Sequence, residues 1–197
     1  MKSITTILLV LFIQTFTTMA SAKTERQKYR VVYSEKGYEI RFYPSATLAT
    51  VYTSAKSYRE LSGTGFRRLA GYIFGGNESG QKIAMTAPVH MDIQDRGSTM
   101  SFVMPSAYEM DNLPSPNDGG VVLETTEDEY VAVLKFRGYA SDRDIKSYSE
   151  KLATMLEAKG IKYTGNFRYL GYNPPYQFIG RRNEIIVKVD WAETVED

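Results

Sequence analysis

Residues 47–53, Thr-Leu-Ala-Thr-Val-Tyr-Thr, and residues 57–73, Ser-Tyr-Arg-Glu-Leu-Ser-Gly-Thr-Gly-Phe-Arg-Arg-Leu-Ala-Gly-Tyr-Ile, decide the fold. The first segment is rich in β-branched residues and reads as a strand. In the second the hydrophobic period changes. Ser57 and Glu60 form a capping box, in which a hydroxyl and a carboxylate satisfy free amides at a helix start. Tyr58, Leu61, Phe66, Leu69, Ala70 and Ile73 follow at helical spacing, and Gly75-Gly76 supplies the stop. Gly63 and Gly65 inside this helix each cost up to about 1 kcal/mol against Ala, which implies a close backbone approach or a bend.

Upstream, residues 29–33 and 38–42 alternate as two strands around a Lys36-Gly37 turn, and Pro44 ends the pair. Downstream, residues 85–93 and 99–104 return to strand character. Residues 105–120, with three Pro and two Gly, read as an exposed connection. The second half repeats the pattern. Strands 121–126 and 130–136 flank the acidic hairpin turn Glu127-Asp128-Glu129. A helix opens at Ser141-Asp142-Arg143-Asp144 and carries the stripe Ile145, Tyr148, Leu152, Met155 and Leu156 up to Gly160. Strands 167–172 and 184–189 close the chain. Neither half buries a helix stripe and a sheet face alone. The expectation is therefore α+β: one twisted antiparallel β-barrel of two pseudo-symmetric halves with two flanking helices.

Composition narrows the function. The 197 residues hold 24 basic and 23 acidic side chains, one His and no Cys. A basic excess expected of a nucleic-acid binder is lacking. Disulfides, thiolate nucleophiles and zinc ribbons go with the Cys, and one His leaves little for a transition-metal site. Residues 1–22 have the shape of a secretory signal peptide: Lys2, an apolar run from Ile7 to Ile13, and Ala20-Ser21-Ala22 before Lys23. The run is too short for a spanning helix, which needs about 20 apolar residues. The expected product is a single exported domain, residues 23–197, periplasmic in a bacterium and otherwise in the secretory pathway or extracellular. Removing the leader takes one charge, Lys2, and leaves 23 basic and 23 acidic residues.

Motifs for catalysis fail on inspection. Residues 75–82 resemble a phosphate loop but have Gln81 where Lys is required and follow a helix rather than a strand, so they read as a surface turn. Asn77-Glu78-Ser79 fits a glycosylation pattern, relevant in a eukaryote alone. No Gly-x-Ser-x-Gly elbow exists to serve His90. On a strand over residues 86–94, His90 falls with Thr86, Pro88, Asp92 and Gln94, opposite Ala87, Val89, Met91 and Ile93. That alternation makes it a solvated or structural imidazole rather than a metal ligand. Glu127, Asp128 and Glu129 read as a solvated tip. The expectation is a protein without enzymatic activity.

What remains is aromatic and apolar surface near cations, with 15 Tyr and 9 Phe in the chain. On the first helix Leu69, Ala70 and Ile73 lie beside Arg67 and Arg68. Such a face suits a flat apolar ligand with two carboxylates, since apolar burial supplies affinity and Arg pairs with carboxylate. The competing reading makes the stripe core and both Arg solvated. Periodicity leaves both open.

Four further pieces, in order, carry a resemblance: Tyr38-Glu39-Ile40-Arg41, residues 82–89 (Lys-Ile-Ala-Met-Thr-Ala-Pro-Val), Gly171-Tyr172-Asn173-Pro174-Pro175, and Arg181-Arg182-Asn183-Glu184-Ile185. From about Tyr29 to Val189 the chain resembles the SOUL haem-binding family. The resemblance implies a twisted antiparallel barrel with two helices, related to effector-binding domains of bacterial regulators. It further implies non-covalent binding of haem or another tetrapyrrole in an apolar groove beside the first helix. Some members carry a His, proposed as an iron ligand, directly after the Tyr-Glu-Ile-Arg segment; here that position is Phe42. Members without it hold the porphyrin by packing and basic residues, so the resemblance implies no His ligand to the metal from that position. The positions comparable in register give the candidates Arg67, Arg68, Leu69, Ala70, Ile73 and Phe74. The expected role is that of a carrier, buffer or scavenger. The alternative is an effector-type module for another amphipathic small molecule or a protein partner.

Overall fold

A computed structural model describes residues 24–192, so the expected leader lies outside the described residues. The strands are β1 (Glu25–Arg26), β2 (Arg30–Glu35), β3 (Tyr38–Tyr43), β4 (Thr47–Thr53), β5 (Thr86–Ala87), β6 (Val89–Asp92), β7 (Ser98–Val103), β8 (Val121–Thr125), β9 (Glu129–Phe136), β10 (Tyr163–Gly171) and β11 (Asn183–Val189). Two helices, α1 (Tyr58–Ile73) and α2 (Asp142–Ala158), complete an α+β fold. Nine strands form one antiparallel sheet in the order β2-β3-β9-β11-β10-β6-β7-β4-β8, and β1 pairs with β5 in a separate parallel ribbon.

The strand order departs from the sequence reading in one instructive way. β8 and β9 flank the acidic turn but do not form a hairpin: β8 pairs with β4, and β9 lies between β3 and β11. Likewise β3 precedes β4 in the chain but pairs with β9. Each leading strand thus covers an edge that the other half would leave open, which removes two unpaired edges at once. The turn is correspondingly engaged. Asp128 accepts a hydrogen bond from the Ser45 amide at 2.7 Å, and Glu129 receives both of its bonds from Arg168. The 85–93 strand is interrupted at Pro88, giving β5 and β6.

Both helices pack on one face of the sheet. α1 lies on β4, β7 and β8, and α2 on β9, β10 and β11. Leu61, Leu69 and Ile73 meet Ala49, Val51, Met100 and Phe102, while Leu152 and Leu156 meet Leu134, Ile185 and Val187, all in one core. The caps form where the sequence places them. Ser57 Oγ accepts from the Glu60 amide at 3.2 Å, and Glu60 reaches back to the Lys56 amide at 2.9 Å, one residue before the cap itself. Ser141 caps α2 in the same manner. The two central glycines of α1 differ. A Cβ on Gly65 would stand 3.2 Å from Met100 Cβ, whereas one on Gly63 would meet nothing within 4 Å.

Residues 105–120 are not simply an exposed connection. Leu113 and Pro114 are buried, the Tyr72 hydroxyl donates to the Pro114 carbonyl at 3.0 Å, and the Asn117 amide donates to Gly76. Asn77 is also buried. Its Nδ2 donates to the Tyr72 and Gln81 carbonyls, which closes the end of α1 and removes this Asn from any glycosylation site.

The opposite sheet face carries a smaller cluster, Tyr43, Val131, Val133, Leu170 and Ile186, beside a buried ion pair. Arg41 donates to both Glu184 oxygens at 2.9 and 3.0 Å, and neither side chain is exposed. Arg182 and the Tyr172 hydroxyl also donate to Glu184, and Glu39 takes two further bonds from Arg41. Burial pushes the Glu184 carboxyl up, but the hydrogen bonds and charge of Arg41, with help from Tyr172 and Arg182, outweigh it and hold the group below its usual range.

Two outcomes follow from this packing. Gly65→Ala should lose about 1–2 kcal/mol by overpacking against Met100, while Gly63→Ala should gain up to about 1 kcal/mol of helix propensity. Thermal melts that move in the same direction for both would contradict the close approach. Glu184→Gln should cost about 3 kcal/mol at neutral pH, because Arg41 stays buried with the partly exposed Glu39 as its one remaining counter-charge. The wild-type contribution is complete above the ordinary carboxylate range and is lost as pH falls through the depressed value. Urea titrations against pH should therefore show the two proteins converging in acid.

Candidate ligand-binding face

The helical period divides α1 into two sides. Leu61, Gly65, Leu69, Tyr72 and Ile73 face the sheet and are buried. The outer side holds Phe66, 39% exposed, the half-buried Ala70, and Phe74, 66% exposed. These three stand four residues apart, on one stripe about 12 Å long at 1.5 Å per residue. Ala70 is the small residue between the two rings in sequence, and Phe74 caps the helix end. The neighbouring row is Gly63, Arg67 and Gly71, all exposed, so nothing but the Arg67 side chain rises there. Phe66 is held from below, its ring edge-on to Phe102 at 5.3 Å between centroids.

The six residues taken from the sequence do not share this face. Arg67, Ala70 and Phe74 lie on it. Leu69 and Ile73 are 0% and 1% exposed and belong to the core, because the same apolar stripe that seems to offer a groove is what anchors the helix to β4 and β7. Arg68 turns to the flank and grips Asp118 with two bonds, Nε to Oδ2 at 2.7 Å and Nη2 to Oδ1 at 2.5 Å. The Arg68 hydrogen bond, then the Gly120 amide, hold the Asp118 carboxyl down to about 2, and Asp118 in turn raises the Arg68 guanidinium. Arg68 therefore fastens the 105–120 segment to α1. Arg67 has no such partner among the described residues.

One cation was missed by helix periodicity. Lys82 sits directly opposite Phe74 in an isolated antiparallel bridge, an arrangement that places the two side chains on the same side. It is exposed, and it opens the 82–89 segment. Phe66 was legible as an apolar helix residue; its spacing of four from Ala70 is the signal that joins it to the stripe.

His90 lies elsewhere. It is half-buried on β6, opposite Leu170 and Ser101, with Nε2 2.8 Å from Gln27 Oε1. Burial, assisted by the charge of Arg168, pushes its pKa down to about 3, so the ring is neutral at neutral pH. The alternation within β6 holds, but the ring is a structural imidazole rather than a solvated one. Phe42 packs against Tyr130 at 5.1 Å and beneath Arg30. Among the described residues no group of three or more His, Cys, Asp or Glu is placed to hold a metal ion. A cavity of about 470 Å³ takes no lining residue from α1. Gln27, Lys28, Ala46, Val103, Met104 and Tyr108 are among the residues that line it.

Comparison with known proteins agrees with the fold and places the chain. Its architecture is similar to the EcmrR C-terminal domain, with a TM-score of 0.62 at 9% identity over 83% of this chain and 99% of that one. It is also similar to an uncharacterized conserved protein from Listeria innocua, with a TM-score of 0.57 at 12% identity over 79% and 93%. In sequence it is 31% identical to Heme-binding protein 2 of Mus musculus over 156 residues, 75% of this chain and 76% of the relative. Heme-binding protein 1 of the same organism is 31% identical over 75% and 82%. The family model for SOUL heme-binding proteins matches residues 24–188. The chain belongs to the SOUL heme-binding protein family.

Proposed function

We propose that this protein binds haem or a related tetrapyrrole, non-covalently, on the outer side of α1, and acts after export as a carrier, buffer or scavenger. The observation that carries the reading is the exposed stripe of Phe66, Ala70 and Phe74 with Arg67 and Lys82 beside it. The chemistry of these groups fits a porphyrin. Two aromatic rings and the small residue between them offer apolar contact to a flat macrocycle. Two cations on separate elements, one from the helix and one from the following segment, match a ligand with two carboxylates, and Arg67 has the planar fork that binds carboxylate best. The stripe carries no imidazole, thiolate or phenol, so the iron would receive no ligand from it. When bound, haem would supply redox-active iron; the protein's own part is to bury one porphyrin face and orient its propionates. The sheet beneath is taken to curl as a barrel of two pseudo-symmetric halves, which presents α1 on its outer surface.

A second reading rests on the 470 Å³ cavity. Its lining mixes Val103, Met104 and Met110 with Arg26, Lys28 and Glu109, a combination that suits a small amphipathic molecule. Such a ligand would make this an effector-type module.

The two are separated by titrating the protein in parallel with haemin and metal-free protoporphyrin. Both should bind, with affinities within tenfold, about 1.4 kcal/mol, since iron takes no protein ligand. Arg67→Glu should weaken both by about tenfold or more, whereas His90→Ala should change haemin affinity by less than about threefold, roughly 0.65 kcal/mol, and leave the Soret band in place. Failure of the metal-free porphyrin to bind would require an iron ligand. An unaffected Arg67 variant would move the site off α1.

A further inference from the structure

The 470 Å³ cavity is lined in part by residues 25–28, the segment that carries β1. The buried Val103, Met104 and Pro105 and the exposed Met110 supply apolar lining. Its volume lies within the range of roughly 300–1,000 Å³ that small-molecule sites occupy. Few bonds fasten the segment. β1 pairs with β5 at two positions, and the Gln27 amide donates to the Ala87 carbonyl at 2.8 Å. One further bond joins two parts of the lining: the Glu25 carboxylate accepts the Ser106 amide at 3.0 Å. Both of these residues are exposed.

The charges around the cavity are unequally engaged. Of the four charged lining residues, Glu25 is held by Ser106, and Glu109 joins Asn112 in a capping box at the short turn Met110–Asn112. Arg26 and Lys28 are exposed and have no hydrogen-bond or ion-pair partner among the described residues. Tyr108 adds a donor. Its hydroxyl accepts from Gln81 Nε2 at 2.8 Å, which leaves the phenol proton to give. Open positive charge, a free hydroxyl and an amide that already holds a carboxylate suit an anionic head group. The Met and Val surface suits a flexible apolar tail.

We propose that this cavity is a second site, for a single-chain amphipathic carboxylate, and that Glu25 is the internal stand-in for its head group. The ligand's carboxylate displaces Glu25 from the Ser106 amide and takes Arg26 or Lys28 as its counter-charge. Its tail lies along Val103, Met104 and Met110. One amide–carboxylate hydrogen bond replaces another, so the exchange is nearly neutral and burial of the tail drives binding. Residues 25–28 stay attached through Gln27 and β5 while the Glu25 side chain swings out. The empty site thus keeps its own amide satisfied, and Glu25 sets a threshold that a ligand without an apolar tail does not exceed. This assignment rests on the cavity reading above, whose ligand class it names, and is independent of the porphyrin reading on α1.

The test is calorimetric titration of the protein with octanoate, with octanol and acetate in parallel, read together with amide chemical shifts. Octanoate should bind, move the amides of Ser106 and residues 25–28, and leave those of residues 66–74 in place. Octanol should bind at least about tenfold more weakly, and acetate should not bind. Glu25→Gln removes the competing charge but no ligand contact, so it should tighten octanoate by about threefold or more with the melting temperature nearly unchanged. Arg26→Gln with Lys28→Gln should weaken octanoate by about fivefold. Saturation with metal-free protoporphyrin should leave octanoate affinity as it was. Failure of octanoate and octanol alike would overturn both this assignment and the cavity reading. Equal binding of the two, or an octanoate affinity that Glu25→Gln leaves unchanged or weakens, would overturn the assignment alone. Competition between octanoate and protoporphyrin would overturn it as well, by putting both ligands on one site.

Discussion

The contact between Gly65 and Met100 sets the geometry on which the rest of α1 depends. A helix that approaches a sheet through a residue without a Cβ comes closer and is fixed in rotation about its own axis. Leu61, Leu69, Tyr72 and Ile73 then have one direction to point, into the core. Phe66, Ala70 and Phe74 are left on the far side, the two rings exposed and Ala70 half-buried between them. The candidate face is thus a consequence of packing: the same turn of the helix that buries one apolar row exposes another. The Arg68–Asp118 clasp works from the flank, tying the 105–120 segment alongside and leaving Arg67 free.

The residues that reveal the family have a mainly structural office here. Arg41, from the Tyr-Glu-Ile-Arg piece, is bonded to Glu184, from the Arg-Asn-Glu-Ile piece. Tyr172, from the Gly-Tyr-Asn-Pro-Pro piece, is bonded to the same carboxylate. In the 82–89 piece, the buried Thr86 hydroxyl donates to the Val103 carbonyl. Three pieces, the first far upstream of the other two, therefore meet at one buried charge on the sheet face opposite the helices. Their order in the sequence is informative because the frame needs all of them together. Lys82 is the member of these segments that reaches the α1 face.

Local chemistry made much of the fold legible. The β2–β3 hairpin, both Ser-capped helices and their glycine ends depend on neighbours within a few residues, and periodicity shows them. The exchange of β3 and β8 between halves did not show, because strand pairing depends on edges that meet only after both halves are built. The break at Pro88 was hidden by side chains that alternate on both sides of it. For the site, spacing gave the helix but not its rotation: Leu69 and Arg68 looked as available as Ala70 and Arg67. Rotation is decided by Gly65 against a Met thirty-five residues away, and no property of the helix alone contains it.

The central claim is that the outer side of α1, and not the cavity beneath the β1 segment, receives the ligand. Amide chemical-shift mapping of the protein during titration with metal-free protoporphyrin tests it most directly. The account predicts the largest changes over residues 66–74 and at Lys82, with residues 25–28 and 103–110 little affected. Changes centred on residues 25–28 and 103–110, with residues 66–74 still, would contradict it.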